Sequence, residues 1–573
     1  MEIVKDNVLG VEVPDIKSNL IGKKVKIKGM VSKSTDILNE RCYTIYKCSK
    51  CGLERKVTSG KKPWICYNKN CGASGSYRKI DEQFRDFRDI EIEETLENVN
   101  RQPGRIKVRL LGDILDRVDI KNIQIGQLVE IIGVVNKEKI KTKNDREIFG
   151  YYLVCSTIEI LDYSGDISEI TEEDEIEIER IAKNNPLETL RGALAPNLIG
   201  LDSIKKSIIL QLVRGPDNLK NVRPRIHILV IGSPSVGKSQ LGWETHLKTP
   251  KSMYGSGDNM SAAGLSASVE KDEFSGRWMA RGGLLSRANG SLVIIDEVEK
   301  LKNDDKKALH TPMEQGIIVV DKAGVHIQML ADCSILALCN PKKGFFDTSG
   351  YRSVSEEVKL PEPLISRFDL IFYVKDEIDK KKDKLIIENL FVEKDKVDRI
   401  SSDIFKKYIK KASKIKPIIT REVRATLEDI YLKLRNSSKN SLENITPRQA
   451  GGLLRLAVAS AKIRLSEKVE LQDLEIAESL MLDALESIGF ERNLNSLDQA
   501  SIYTNTTRKK ISVQNQIIEL IKDLIKSGKR TENELEETVL LRGFSLELFR
   551  KTFEGLSRDG SIIKQSGGLR WIE

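Results

Sequence analysis

The chain has 573 residues, enough for three or four domains at roughly 150 residues each. It contains 94 Lys and Arg against 85 Asp and Glu, a net charge of +9, and 31% of its residues are charged, against roughly 25% in an average soluble protein. These values predict a soluble globular protein and exclude a disordered chain. The longest apolar stretches are far shorter than the roughly 18 residues that cross a bilayer, and the N-terminus lacks an apolar signal region. We therefore expect a cytoplasmic protein with no membrane partner.

The first 165 residues read as an all-β domain. Short stretches with alternating or continuous apolar residues are separated by glycine and Asn-Asp turns, as is typical of β-strands. We predict strands near residues 24–28, 105–109, 128–135 and 151–161. Between the first two lies an insertion that contains most of the cysteines.

Two cysteine pairs occupy this insertion: Cys48 with Cys51, and Cys66 with Cys71. Such pairs are typical of a structural zinc site, in which four thiolates fill a tetrahedral shell. We expect Zn²⁺ at these four residues, within an element of about residues 42–78. Four free thiols are the alternative, and nearby Cys42 leaves the choice of ligands open. The eight cysteines of the chain are too few for a disulfide scaffold and fit a reducing compartment.

The next three regions predict an α/β domain with helical flanks. An acidic helical connector, residues 166–198, leads into residues 199–376, where apolar runs alternate with helical segments. Strands of that kind argue for a parallel sheet covered on both faces. The runs lie at 226–231, 292–295, 334–338 and 370–374. A Lys-rich helical region follows over residues 377–490.

The C-terminal part reads as a small separate domain. A polar stretch, residues 491–510, is predicted to be a linker. Residues 511–573 combine three helical patterns with a hairpin around a Ser-Gly-Gly turn, which predicts a winged helix.

A phosphate-binding motif of the form G-x-x-x-x-G-K-S follows the run at 226–231 and precedes a helical pattern. Its glycines let backbone N–H groups approach phosphate oxygens, its lysine supplies a charge at the β and γ phosphates, and its serine ligates Mg²⁺. We predict that ATP and Mg²⁺ are bound by Gly232, Ser233, Pro234, Ser235, Val236, Gly237, Lys238, Ser239 and Gln240.

Two carboxylates, Asp296 and Glu297, end the run at 292–295. At the carboxyl end of a parallel strand they should face the same crevice as the phosphate loop. We expect Asp296 in the Mg²⁺ shell and Glu297 as the general base that polarises the attacking water. A solvated strand end is the alternative, and the upstream phosphate loop argues against it.

Two further polar residues extend this predicted site. Asn340 follows the run at 334–338, where its amide could orient water near the γ-phosphate. Arg367 precedes the last strand and is suited to clamp a transferring phosphoryl group from a neighbouring subunit. A loop-capping asparagine and a surface arginine are the respective alternatives.

Basic side chains alternate with apolar ones on two predicted strands and cluster beside an Asn-Asp turn. Such faces attract phosphates with little sequence preference, although an ordinary solvated β face is the alternative. The basic residues concerned are Arg105, Lys107, Arg109, Lys137, Lys139, Lys141 and Lys143. Aromatic residues are sparse, so we expect backbone electrostatics to dominate.

Seven segments in a fixed order resemble a known family: 226–241, 261–265, 290–297, 313–315, 322–324, 339–341 and 360–371. With them, residues from about 195 to 470 look like the AAA+ ATPase core of the minichromosome maintenance (MCM) helicases, archaeal type. The flanking regions match the layout of that family. One departure is the loop itself, because the family usually has G-x-P-G-x-A-K-S where this chain has Ser235 and Gly237. Both forms keep small residues and the lysine, so phosphate binding should survive.

The resemblance implies an N-terminal OB-fold β-barrel with a zinc-binding insertion, a central α/β AAA+ P-loop ATPase with a helical lid, and a C-terminal winged helix. Because the OB-fold of the family has a DNA-facing hairpin, the resemblance also favours DNA contact by the basic residues of the first domain. It also implies a homo-oligomer, a hexameric ring with ATP at subunit interfaces. Arg367 and Arg448 would reach the ATP of the neighbouring subunit. One channel hairpin would span roughly 253–280, and another would carry Lys322 near its tip against the DNA backbone, unless Lys322 is only an exposed turn lysine.

The family normally begins with a helical subdomain, whereas only about seventeen residues precede the β region here, which starts near residue 18. We expect that subdomain to be absent or vestigial, which indicates a divergent paralogue, with a mobile element as one source.

The function implied is a nucleoid-associated, ATP-dependent replicative DNA helicase that acts on single-stranded and forked DNA in the 3′ to 5′ direction. An alternative is a DNA-loading or origin-melting platform whose unwinding is weak or depends on replication or loading factors. A protein-remodelling ATPase is a third hypothesis, against which the basic strands and Lys322 argue.

Overall fold

A computed structural model gives the fold. It describes most of the chain as far as residue 488 and short pieces beyond it. The described residues are 8–58, 61–94, 103–117, 120, 123–140, 148–161, 170–219, 221–271, 278–322, 325–342, 354–374, 384, 387, 400–437, 447–488, 520–522, 524–525, 531, 534–536, 538, 549, 553, 562–565 and 568–571. The predicted linker at 491–510 lies outside them. Two compact units divide the chain, residues 1–492 and 493–573.

The N-terminal part is a closed β-barrel, which confirms the all-β domain predicted from the sequence pattern and the OB-fold implied by the resemblance. Its strands are β1 Leu9–Gly10, β2 Lys24–Ser34, β3 Leu38–Cys48, β4 Glu54–Val57, β5 Tyr77–Glu93, β6 Arg105–Leu111, β7 Leu128–Ile140 and β8 Ile148–Leu161. Strand β2 pairs with β7 through its first half and with β5 through its second half. The order β2-β7-β8-β6-β5 therefore returns to β2 and closes the barrel. Strands β3 and β4 extend from β5 and carry the cysteine insertion.

The central part is a five-stranded parallel sheet in the order β10-β13-β16-β9-β17. Its strands, together with two hairpins, are β9 His227–Gly232, β10 Met253–Ser256, β11 Ala267–Lys271, β12 Trp278–Gly282, β13 Leu292–Asp296, β14 Ile317–Lys322, β15 Val325–Leu330, β16 Ser334–Cys339 and β17 Leu370–Val374. The four apolar runs form β9, β13, β16 and β17, which confirms the predicted parallel sheet.

The prediction of one hairpin over 253–280 is wrong at its start. Met253–Ser256 is the edge strand of the parallel sheet, paired with β13, and the hairpin is limited to β11 and β12. The edge strand has only four residues, and all of them are half-buried, so it gives no apolar run to detect.

Helices cover both faces of the sheet and form the lid. The connector has α1 Glu172–Lys183 and α2 Pro186–Leu194, and the core has α3 Asp202–Val213, α4 Lys238–Lys248, α5 Ala262–Leu265, α6 Leu284–Arg287, α7 Asn303–Lys307, α8 His310–Gln315, α9 Val354–Glu357 and α10 Glu362–Ile365. The lid has α11 Ser402–Ser413, α12 Arg421–Ser437, α13 Pro447–Ile463 and α14 Leu471–Ser487. Thr171 and Asp174 form a capping box at the start of α1.

Successive residues of the central strands pack into different cores. Leu229 and Ile231 join a cluster that continues into the barrel, whereas Ile228 and Val230 join a cluster with the connector and the lid. This alternation follows from the two-residue repeat of a strand. One face of the sheet thus belongs to the cluster that reaches the barrel, and the other face packs against the connector and the lid.

Barrel and ATPase core also share a sheet. Strand β12 pairs with β2 through Ala280 opposite Ser34 and Arg281 opposite Lys33. Beside this junction, the Lys251 Nζ donates to the Gly126 carbonyl at 2.6 Å. The Arg287 guanidinium donates to Glu93 at 2.6 Å. The ATPase hairpin is therefore tied directly to the barrel within one chain.

In the C-terminal unit, β18 Ile562–Gln565 and β19 Gly568–Trp571 form an antiparallel hairpin at the predicted Ser-Gly-Gly turn. The three helical patterns predicted for a winged helix lie mostly outside the described residues. No helix in the described part of the chain is long and apolar enough to cross a membrane.

Candidate functional site

The phosphate loop links the carboxyl end of β9 to the start of α4. Ser235 and Gly237 both have positive φ, 72° and 83°, so the loop curls around the Lys238 side chain. The Lys238 Nζ donates to the carbonyl oxygens of Gly232 and Ser233, each at 2.8 Å. Burial lowers the pKa of Lys238, and the nearby Asp296 and Glu299 carboxylates oppose that shift. Because α4 begins at Lys238, its unpaired N–H groups face the loop, as an anion site requires.

The two predicted carboxylates stand at the carboxyl end of β13, at the same edge of the sheet as the phosphate loop. Asp296 is buried, and its Oδ1 accepts from the Glu297 backbone N–H at 2.9 Å. Glu297 adopts a left-handed backbone conformation with φ 52°. Its carboxylate pairs with the Lys300 Nζ at 2.9 Å and receives a weak hydrogen bond from the Ser256 hydroxyl at 3.4 Å.

Asn340 follows β16 at that same edge. Its Nδ2 donates to Glu299 Oε1 at 3.0 Å, so the amide is already oriented by a third carboxylate. The crevice thus combines the lysine, two strand-end carboxylates and an amide. Together with the exposed hydroxyl of Ser239, this oxygen-rich set fits a nucleotide with Mg²⁺.

Arg367 and Arg448 occupy a different place from the phosphate loop. Both contact Glu314 Oε2, the Arg367 Nε at 3.4 Å and an Arg448 Nη at 3.5 Å. Arg448 also donates to the Ser366 hydroxyl at 3.0 Å. Two arginines that are distant in sequence are thus brought together around one glutamate.

The buried carboxylate of Asp369 anchors the loop that carries Arg367. Asp369 accepts from Arg455, from Arg223 at 3.1 Å and from the His227 backbone N–H at 2.8 Å. Burial by itself raises the pKa of Asp369, but the charges of Arg455 and Arg223 lower it to about 2. Arg455 lies on α13, the helix that begins next to Arg448, so Asp369 connects the Arg367 loop to the lid.

The four predicted cysteines form one cluster. The sulfur atoms of Cys48, Cys51, Cys66 and Cys71 all lie within 4.8 Å of one another. The Cys48 and Cys71 sulfur atoms are 3.9 Å apart, and those of Cys51 and Cys66 are 3.5 Å apart. Four thiolates at about 2.3 Å from a zinc ion would be about 3.8 Å apart, so the set fits a tetrahedral metal. Cys42 is not part of the cluster.

The cations on β6 face one side of the strand, with Ile106 and Val108 buried on the other, as predicted. They are not free, however. Arg109 makes a bidentate pair with Asp89 at 2.8 and 3.0 Å, and Lys107 reaches the same carboxylate at 3.1 Å. Arg105 pairs with Glu93 at 3.3 Å. The alternation in the sequence predicts which face of the strand a residue lies on. It does not predict the acidic residue on the neighbouring strand, which here is Asp89 of β5.

The hairpin of β7 and β8 carries the remaining basic residues. Lys137 and Lys139 stand opposite Tyr151 and Phe149, and the Lys137 Nζ lies 5.1 Å from the Phe149 ring centre. Both aromatic rings are exposed, so aromatic surface accompanies these lysines despite the low aromatic content of the chain. Lys141 and Lys143 lie outside the described residues. Lys322 is the last residue of β14, next to the turn of the β14–β15 hairpin, as predicted.

Sequence reasoning missed Tyr254, Ser256 and Glu299. The first two lie on the short strand β10, which has no apolar run, and reach the carboxylates only through strand pairing. Glu299 is two residues beyond Glu297, and that acidic spacing is the one signal that could have found it.

These elements define a P-loop ATPase of the AAA+ class joined to an OB-fold barrel. Three family models match the chain: the MCM OB domain over residues 12–139, the MCM P-loop domain over 174–394 and the MCM AAA-lid domain over 403–485. The chain therefore belongs to the minichromosome maintenance family and is an ATPase of DNA-helicase type.

Similar proteins from other organisms bear the name of the same family. The minichromosome maintenance protein MCM of Saccharolobus solfataricus is 31% identical over 91% of this chain and 78% of its own length. An uncharacterized MCM-type protein of Methanocaldococcus jannaschii is 30% identical over 97% of this chain and 77% of its own. The DNA replication licensing factor mcm7-A of Xenopus laevis is 27% identical over 95% of this chain and 77% of its own.

Proposed function

We propose that the chain is an ATP-driven DNA helicase that works as a ring. It holds single-stranded DNA in its central channel and separates forked duplex DNA in the 3′ to 5′ direction. ATP is hydrolysed between adjacent subunits. A hexamer on DNA in the cytoplasm, at the nucleoid, is the assembly that this function requires.

The observation that carries the proposal is the separation of the two halves of the ATP site. Gly232 ends β9 at the carboxyl edge of the sheet, whereas Arg367 precedes Leu370 at the amino edge of the adjacent parallel strand β17. Five residues of strand separate the edges, which is roughly 16 Å at 3.3 Å per residue. An arginine so placed cannot clamp the nucleotide of its own loop. It can complete the site of a second copy, which supports Arg367 and Arg448 as trans-acting residues.

Within one subunit, the residue roles follow from charge and position. Lys238 neutralises the β and γ phosphates, and the loop N–H groups bind their oxygens. Glu297 takes the proton of the attacking water, and Asn340, held by Glu299, orients that water. Ser239 and Asp296 would hold Mg²⁺, which supplies positive charge at the phosphate oxygens.

DNA contact is assigned mainly to the hairpins. Lys137, Lys139 and Lys322 lie on strands that end at hairpin turns, a geometry suited to backbone contact. Arg105, Lys107 and Arg109 are matched by Asp89 and Glu93, so their role at DNA is weaker than the sequence predicts. A winged helix at residues 511–573 is a further DNA-binding element in this proposal.

The four-cysteine cluster is proposed as a structural zinc site. Four thiolates leave no open position for a reacting ligand, so the metal would stabilise the barrel insertion and take no part in hydrolysis.

The test is ATP hydrolysis with and without single-stranded DNA. We expect DNA to stimulate hydrolysis and Glu297→Gln to lower the rate by roughly 10²-fold or more while ATP still binds. Two inactive variants, Lys238→Ala and Arg367→Ala, should regain partial activity when mixed, because some interfaces then combine an intact loop with an intact arginine. Absence of recovery on mixing would contradict hydrolysis between subunits.

A further inference from the structure

The Tyr254 phenol contacts the active-site carboxylate from the neighbouring strand. Tyr254 lies on β10, and its hydroxyl donates to Asp296 Oδ2 at 2.7 Å. This distance is typical of a strong hydrogen bond to a charged acceptor. A tyrosine hydroxyl carries its proton at neutral pH and can therefore donate to the carboxylate.

With this hydrogen bond, each of the two Asp296 carboxylate oxygens accepts from a donor of the protein. Oδ1 already accepts from the Glu297 backbone N–H at 2.9 Å. With Oδ2 held by Tyr254, neither oxygen can exchange places with the other without breaking a bond. A carboxylate has about four acceptor positions, so each oxygen still has capacity for a further ligand.

The tyrosine ring is itself held in place. The Trp243 ring packs edge-on against it, with centres 5.4 Å apart and an interplanar angle of 85°. The pairing of β10 with β13 fixes the position of Tyr254 along the strand, since Tyr254 stands opposite Ile294 and Ser256 opposite Asp296. Gly242 of α4 faces the ring, and a Cβ there would lie 3.5 Å from it. The donor is thus preorganised by α4, the helix that follows the phosphate loop.

We propose that Tyr254 is a positioning residue for ATP hydrolysis: its hydroxyl fixes the Asp296 carboxylate in the orientation that receives Mg²⁺. This inference rests on the proposed ATPase function and adds a residue outside the phosphate loop and the strand-end carboxylates. Because Tyr254 acts through Asp296, we expect it to affect the magnesium requirement of the reaction and to have little effect on nucleotide binding without magnesium.

The test is the magnesium dependence of ATP hydrolysis by Tyr254→Phe, which removes the hydroxyl and leaves the ring. We expect the half-saturating Mg²⁺ concentration to rise roughly tenfold, as expected for one lost hydrogen bond to a charged group. Binding of a fluorescent ATP analogue in EDTA should change less than about twofold. A second variant, Trp243→Leu, loosens the ring but keeps the hydroxyl and should shift the magnesium dependence in the same direction by less.

The matched control is Tyr408→Phe. Tyr408 donates to the Ile463 carbonyl at 2.6 Å within the lid, so this variant also loses one phenolic hydrogen bond but should keep the wild-type magnesium dependence. An unchanged or lower Mg²⁺ requirement in Tyr254→Phe would overturn the inference, as would an equal rise in Tyr408→Phe. If the wild-type chain shows no magnesium-dependent hydrolysis, the proposed function fails together with this inference. If the wild type hydrolyses ATP with magnesium and Tyr254→Phe has the same magnesium dependence, this inference alone fails.

Discussion

Ser235 is one of the two residues at which the phosphate loop departs from the usual family form, and its backbone conformation shows the cost of that departure. With φ 72° it adopts a conformation that costs an L-residue about 1–2 kcal/mol and costs glycine almost nothing. Glycine at this position, as in the family pattern, would remove that cost. The loop keeps its curled shape because the Lys238 Nζ binds two of its carbonyls.

We therefore predict that Ser235→Gly stabilises the nucleotide-free chain by about 0.5–1 kcal/mol, after the extra flexibility of unfolded glycine is subtracted. Ser233→Gly is the matched control, since Ser233 is not among the residues with positive φ, and it should be neutral or destabilising. Thermal unfolding of the ATPase core measures both. Stabilisation by Ser233→Gly to the same extent would contradict the strain argument.

Residues with a chemical motif were the easiest to predict from sequence. Lys238, Asp296 and Glu297 follow apolar runs whose strand assignment is confirmed, so their common edge could be inferred. Tyr254 could not, because its bond to Asp296 depends on the pairing of a four-residue strand with β13. Pairing between distant strands is a tertiary property that local periodicity does not contain.

At the scale of elements, the cysteine insertion depends on its four sulfurs. Among the described residues of the insertion, the apolar support is a small core that includes Tyr46, Ala73 and Tyr77, so a bound metal should supply much of its stability. A single cysteine substitution should release the metal and unfold the insertion while the barrel strands remain paired.

We predict one zinc ion per chain in the wild type and close to none in Cys66→Ser. Cys42→Ser should keep the metal, because Cys42 lies outside the cluster. Elemental analysis of the purified chains, with limited proteolysis of residues 42–78, measures the outcome. Equal zinc loss in both variants would contradict the assignment of the four ligands.

A second element-scale prediction concerns Asp369, which links the Arg367 loop to α13. Its folded pKa of about 2 is below the value near 3.9 of an unfolded aspartate. The carboxylate therefore stabilises the fold above about pH 4, and this contribution is lost as the pH falls towards 2. Asp369→Asn should destabilise the core by about 3 kcal/mol at pH 7, because it leaves buried arginines without a counter-charge.

Thermal unfolding at pH 7 and at pH 3 tests this. The unfolding temperature of Asp369→Asn should be lower at pH 7 and should fall less on acidification than that of the wild type. An unchanged acid-dependent drop would show that other carboxylates control it.

Strand faces were predictable at this scale, but their partners were not. The alternation in β6 gave the correct buried side, yet Asp89 on β5 neutralises Arg109 and Lys107. Charge matching across strands depends on the register of β5 and β6, which the sequence of either strand alone does not determine.

Over the whole of the first unit, the barrel and the ATPase core are joined by strand pairing between β2 and β12. The junction is close-packed at Gly126, whose φ is 91° and whose Cβ, if present, would lie 2.1 Å from the Ser286 carbonyl oxygen. The hairpin of β11 and β12 therefore cannot move far without moving the barrel. This link was not predicted, because it joins residues about 250 positions apart.

We predict that Gly126→Ala destabilises the junction by about 2 kcal/mol or more, through backbone strain and the clash with Ser286. Protease cleavage between barrel and core should become faster. Gly22→Ala is the control: Gly22 also has positive φ, 80°, but open space at its Cβ position, so it carries the strain without the clash. Equal effects of the two variants would contradict a packed junction.

The central claim is that ATP hydrolysis drives separation of DNA strands, and the most direct measurement is unwinding of a forked duplex with either a 3′ or a 5′ single-stranded tail. We predict ATP-dependent displacement with the 3′ tail and none with Glu297→Gln. DNA-stimulated hydrolysis by the wild type without displacement of either substrate would contradict the helicase account and favour a loading or melting platform.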